Sequence, residues 1–142
     1  MHLSMHNWMR AEPIEVTITR LAKYGYASIE ISGEPEIYDT KHVKQLLDEN
    51  GLKCWGSVTL MLGERNLLAR DEAQRARSVK YVKDCITIVK ELDGYEMTIV
   101  PGTVGKIVPD ATADEEWKWV VESLKEIYDH SEATGVDRKS VV

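Results

Sequence analysis

Residues 53–59 read KCWGSVT, residues 71–92 read DEAQRARSVKYVKDCITIVKEL, and residues 96–101 read EMTIVP. The outer two are short runs rich in strand-forming residues. The middle one is too long for a strand, and Ala76, Val79, Ile86 and Val89 recur at the spacing of one helical face. Asp71 with Gln74 three residues on predicts a capping box at the start of what should be the longest helix. Strand, helix and strand in this order predict a parallel βαβ unit with a right-handed crossover.

The same unit repeats on both sides. Toward the N-terminus, residues 2–8 alternate Leu3 and Met5 with polar neighbours and predict a first strand. Pro13 stands where a helix tolerates proline, and Ile14, Ile18, Leu21 and Ala22 mark a buried face that ends at Gly25. Residues 28–32 (SIEIS) predict a second strand. Residues 40–50 predict a helix with Val43, Leu46 and Leu47 inward and Gly51 in the C′ position. Toward the C-terminus, Thr112 with Glu115 predicts a capping box before a helix whose Trp117, Val120, Val121, Leu124 and Tyr128 share a face, closed by Gly135. The class is therefore α/β, a parallel (βα)4 arrangement. A closed barrel of such units needs about eight of them and ~250 residues, so residues 1–136 are expected to be the N-terminal half of one. Residues 137–142 (DRKSVV) have poor strand propensity, which predicts a tail in place of a fifth strand.

A chain of 142 residues with 43% hydrophobic and 30% charged content has the composition of a soluble globular protein. No run approaches the ~18 apolar residues of a membrane span, and residues 1–13 lack the pattern of a secretory signal. A cytoplasmic location and no membrane partner are expected. The net charge of −6 argues against nucleic acid, whose affinity comes from clustered lysines and arginines. Arg65, Arg70, Arg75 and Arg77 are interleaved with Glu64, Asp71 and Glu72. Cys54 and Cys85 form no CxxC pair and read as reduced packing residues.

Ligands of parallel α/β folds bind at the carboxyl ends of the strands, where loops and helix N-termini converge. His6, Asn7, Glu30, Ser32, Ser57 and Thr59 are polar and fall near those ends. They are the candidate site residues.

Three stretches resemble one family: LSMHNWM at 3–9, GYASIEISGE at 25–34, and residues 64–94 (ERNLLARDEAQRARSVKYVKDCITIVKELDG) leading into TIVPGTVGK at 98–106. Their order and content are similar to the sugar isomerase/epimerase superfamily with the xylose-isomerase-like TIM barrel, ketose 3-epimerases included. The resemblance implies an isomerase or epimerase that moves a proton next to a ketose carbonyl. It also implies a divalent metal of the Mn, Mg or Co type and a pair of glutamates. In that family the metal ligands and both glutamates come from the last four strands, so no catalytic or metal residue is carried over. This chain alone is expected to be inactive and to bind no metal tightly.

What the resemblance leaves for these residues is substrate binding by His6, Trp8, Glu30 and Ser57. His6 would bond a sugar hydroxyl or, alternatively, a backbone carbonyl. Trp8 would stack on a sugar face or cap the barrel end. Glu30, between two isoleucines, would open into the mouth or be buried with a partner. Glu34 reads as surface, Ser57 and Thr59 also suit plain strand positions, and Pro101-Gly102 suits loop geometry. The expected partners are a sugar or sugar phosphate and either a second copy or a missing C-terminal half-barrel, since strand edges invite pairing. A non-catalytic fragment and a keto-polyol dehydratase or lyase stay open. An endonuclease-IV-like phosphodiesterase is disfavoured, because neither KCWGSVTL nor EMTIVPG holds a histidine.

Overall fold

Each strand hands the chain to a helix that returns it to the start of the next strand. The computed structural model describes residues 2–140, with side chains described as far as Val136. The order is β1 (Ser4–His6), α1 (Ile14–Lys23), β2 (Ser28–Gly33), α2 (Thr40–Asn50), β3 (Lys53–Thr59), α3 (Glu72–Glu91), β4 (Glu96–Ile99), α4 (Ala113–Thr134) and β5 (Asp137–Ser140). All neighbouring strands pair in parallel, in the spatial order β1-β2-β3-β4-β5. Sequential strands joined by crossovers of one hand put every helix on the same side, which is the wall of a barrel.

Burial follows from that asymmetry. Ile29 and Ile31 of β2 pack with Ile18, Leu21, Val43 and Leu47 of α1 and α2. Met97 and Ile99 of β4 pack with Val82, Ile86 and Val89 of α3 and with Val120 and Ile127 of α4. The alternate positions Glu30, Glu96 and Thr98 belong to neither cluster and stay partly accessible. One face of the sheet is thus a hydrophobic core and the other a polar inner wall.

Helix ends follow local chemistry. Asp39 accepts from the backbone N–H groups of Lys41 and His42 at the start of α2, and Gly51 closes that helix at φ 67°. Thr112 and Glu115 form the expected capping box. Asp71 caps α3 through Ala73 N–H, but Gln74 turns away and donates to the Glu64 carbonyl, so that cap is one-sided.

Several expectations need correction. The longest helix is α4, with 22 residues against 20 in α3. Its buried stripe is Val120, Ser123, Ile127 and Ser131, while Trp117 and Tyr128 are 59% and 42% exposed. Ala76 lies on the exposed side of α3. The first strand is only Ser4–His6, because Asn7–Met9 turn into a 3₁₀ helix. A fifth strand does form. Residues Asp137–Ser140 run beside Glu96–Ile99, since ladder pairing uses backbone groups and the left-handed Gly135 redirects the chain from α4 onto the sheet. Val141 and Val142, the end of the expected tail, lie outside the described residues.

The ladder between β2 and β3 carries the one irregularity that matters for the site. Ile29 pairs with Cys54, yet Glu30 pairs with Gly56, so Trp55 is an extra residue in β3. A bulge of this kind reverses which face every later residue of the strand meets. Gly56 is required there: a Cβ would stand 2.1 Å from the Glu96 carbonyl oxygen of β4.

Candidate functional site

Of the four singled-out residues, His6 and Glu30 come together on the inner face, Trp8 follows β1 on a neighbouring cavity, and Ser57 is turned away. His6 and Glu30 are cross-strand partners on the inner face. The His6 Nδ1 is 3.1 Å from the Glu30 carbonyl oxygen and 3.6 Å from its carboxylate. A carbonyl oxygen can only accept, so Nδ1 carries the proton and Nε2 is the ring's remaining polar atom. The backbone bond considered for His6 is therefore made, and it also orients the ring.

Glu30 keeps 25% of its side chain accessible. Burial pushes its carboxyl above the usual range, His6 pulls it back in part, and the Glu96 carboxylate on the same wall pushes it further up.

Ser57 is a correction. It pairs with Ile31 and Met97, both core residues, and is 1% exposed. The bulge at Trp55 turns it to the helix layer, away from His6 and Glu30. Thr59 is turned likewise, and its hydroxyl accepts from the Val100 N–H as a tie between β3 and the loop after β4. Val58 takes the inward place instead.

Trp8 stands in the 3₁₀ turn, 55% exposed, on the wall of a cavity of about 410 Å3. That cavity lies between the turn, the start of α1 and the loop after β2. Its floor is a hydrogen-bonded set that sequence reading only half located: Asn7, Ser32, Glu34 and Tyr38. Asn7 and Ser32 were legible as polar residues at strand ends. Tyr38 and the engaged state of Glu34 depend on how the loop folds back, and no local pattern signals them. A second cavity of about 270 Å3 lies between the loops after β3 and β4, with Asn66, Gly102, Thr103 and Lys106 on its walls.

The ends of β2 and β3 are held together by Tyr81 of α3. Its hydroxyl donates to the Gly33 carbonyl at 2.6 Å and accepts from the Leu60 N–H at 2.8 Å. The Arg65 guanidinium stacks on the ring at 3.9 Å and reaches toward Glu36. Burial raises the Tyr81 hydroxyl well above its ordinary value, so it works as a fixed hydrogen-bonding group. Burial likewise pushes the Cys54 and Cys85 thiols up to about 12, which suits packing residues.

Among the described residues, no three of His, Cys, Asp and Glu come together as a metal ligand set. No helix among them is long and apolar enough to cross a membrane.

Residues 18–138 match the family model of the xylose isomerase-like TIM barrel. The chain belongs to that family. Solved structures with the same fold include D-psicose 3-epimerase from Clostridium cellulolyticum H10, 20% identical with a TM-score of 0.85 over 97% of this chain and 51% of that one. D-allulose 3-epimerase from Methylomonas sp. gives 18% identity and a TM-score of 0.87 over 99% and 50%. The 3-keto-D-glucoside 4-epimerase of E. coli gives 19% and 0.81 over 99% and 55%. The chain spans about half the length of these sugar epimerases. A comparison with curated proteins finds no match.

Proposed function

We propose that these units form one wall of a sugar isomerase or epimerase whose reaction is proton transfer next to a ketose carbonyl. The observation that carries this reading is the polar inner strip of His6, Glu30, Glu96 and Thr98, on a fold otherwise found in ketose epimerases. His6 would offer Nε2 to a sugar hydroxyl, Glu30 would accept from another, and Trp8 would bound the entrance. Ser57 has no part in this assignment, because it faces the helices.

The metal expected from the family resemblance finds no ligand set among the described residues. The chain's own share of the chemistry is binding and orientation. The wall works joined to further strands, supplied by a longer or separate chain or by a second copy, and it extends through β5 at Asp137–Ser140 in place of ending at 136. Cytoplasmic residence suits two thiols that sit in different core clusters.

The test is an assay of the wall joined to its complementing strands on a panel of ketohexoses, with and without divalent metal. Metal-dependent formation of an epimer or aldose, with a raised KM in His6→Ala, is the expected result. Loss of water from a keto-polyol without any isomer would move the reading to a dehydratase. Inactivity on every ketose would overturn it.

A further inference from the structure

The cavity beside Trp8 adjoins the polar inner strip without including it: Asn7 follows His6 and Ser32 stands two residues on from Glu30, while His6, Glu30, Glu96 and Thr98 do not line it. Its volume of about 410 Å3 falls within the range of small-molecule sites. Most of its charges are already engaged. Glu12 is bound by Arg20 and Arg10, and Glu15 by His42.

The floor is different. Asn7 Nδ2 donates to the Tyr38 hydroxyl at 2.8 Å, and the Ser32 hydroxyl donates to Glu34 Oε2 at 2.9 Å. Tyr38 and Ser32 hydroxyls meet at 2.5 Å. An amide nitrogen only donates and a carboxylate only accepts. Ser32 has spent its one proton on Glu34, so Tyr38 must donate to Ser32. Every proton on the floor therefore points one way, from Asn7 to Glu34. Asn7 Oδ1 is fixed as well, by the Ser32 N–H at 2.7 Å. Such a set binds without reorganising its own dipoles. The same cavity is lined by two exposed apolar groups, Trp8 and Ile37, at 55% and 65%.

We propose that this cavity is an outer saccharide subsite that takes a pyranosyl ring beyond the reacting sugar. The ring's apolar C–H face would lie on Trp8, and its hydroxyls would donate to Glu34 and accept from the second N–H of Asn7. The substrate class becomes a glycoside or oligosaccharide in place of a free ketose. This inference rests on the sugar-handling reading of the inner strip.

The test is NMR titration of this 15N-labelled chain with methyl β-D-glucopyranoside and, separately, with D-fructose. The glycoside is expected to shift the Trp8 indole N–H and the amides of Asn7, Ser32 and Glu34. Trp8→Ala should weaken that binding roughly fivefold. Glu34→Gln, which keeps the shape of the floor, should weaken it by a similar factor, roughly fivefold. Unchanged amides at Met97 and Ile86 report an intact core in each variant. Absence of these shifts at the highest soluble concentration overturns the subsite, as does unaltered affinity in both variants. Fructose shifts at His6 and Glu30 without glycoside shifts would sink the subsite alone. Glycoside shifts with no fructose response would keep the subsite and count against the inner-strip reading.

Discussion

The outer and inner faces of the sheet are built from the same strands, and they obey different rules. Outward positions such as Ile29, Ile31, Met97 and Ile99 are sealed against helices. Inward positions such as Glu30 and Glu96 hold carboxyls that no core would accept without compensation. The difference teaches that core packing and exposed polar chemistry are separable here by the parity of a residue along its strand.

That separation can be broken or sharpened by mutation. The largest effect is expected from Gly56→Ala, since the added Cβ would meet backbone at 2.1 Å and neither strand can yield alone. A loss of about 4 kcal/mol or more is expected by urea unfolding. A loss below about 1 kcal/mol would show that β3 and β4 separate freely. Next is Ile31→Ala on the outer face, which should cost about 2–5 kcal/mol and leave sugar-induced shifts at His6 unchanged. Altered shifts there would mean that the two faces are coupled. Tyr81→Phe should cost about 2–3 kcal/mol, because the Gly33 carbonyl and Leu60 N–H lose a buried partner. Hydrogen exchange at Leu60 should rise most.

The smallest effect tests the inner wall. Burial and Glu96 raise the Glu30 carboxyl in the folded state, so folding favours its protonated form. That contribution is fully present below the unfolded value near 4.5 and is lost as pH rises through the higher folded value. Glu30→Gln should therefore raise Tm modestly at neutral pH, with the gain vanishing below about pH 4.5. A variant less stable at neutral pH would mean that the His6 contact outweighs desolvation.

How much of this was legible beforehand depends on the kind of signal. The spans of α2 and β3 and the cap of α4 were readable because periodicity, Gly51 and the Thr112–Glu115 pair are local. The faces of α4 were misjudged, since Trp117 and Tyr128 are apolar in type yet lie at the rim of the buried stripe. The strand at Asp137–Ser140 was missed because side-chain propensity says little about a backbone ladder with a waiting neighbour. His6 and Glu30 stand out in the sequence as polar residues near strand ends, and the parallel register sets them side by side. Ser57 was not placed correctly, and Tyr38 was not found at all, because one depends on a register shift and the other on a loop.

The extra residue in β3 works like an inserted letter in a two-letter code. Upstream of Trp55 the strand is read in one frame, and downstream in the other. Deleting that single residue would exchange the audience of every side chain after it: Ser57 and Thr59 would address the cavity of the barrel, and Val58 the helices. The same deletion would also remove the ring that packs against His2 at a tilt and meets Tyr95 edge to face. Evolution can thus re-letter which side chains the third strand turns inward by length alone, with no substitution at any of those positions.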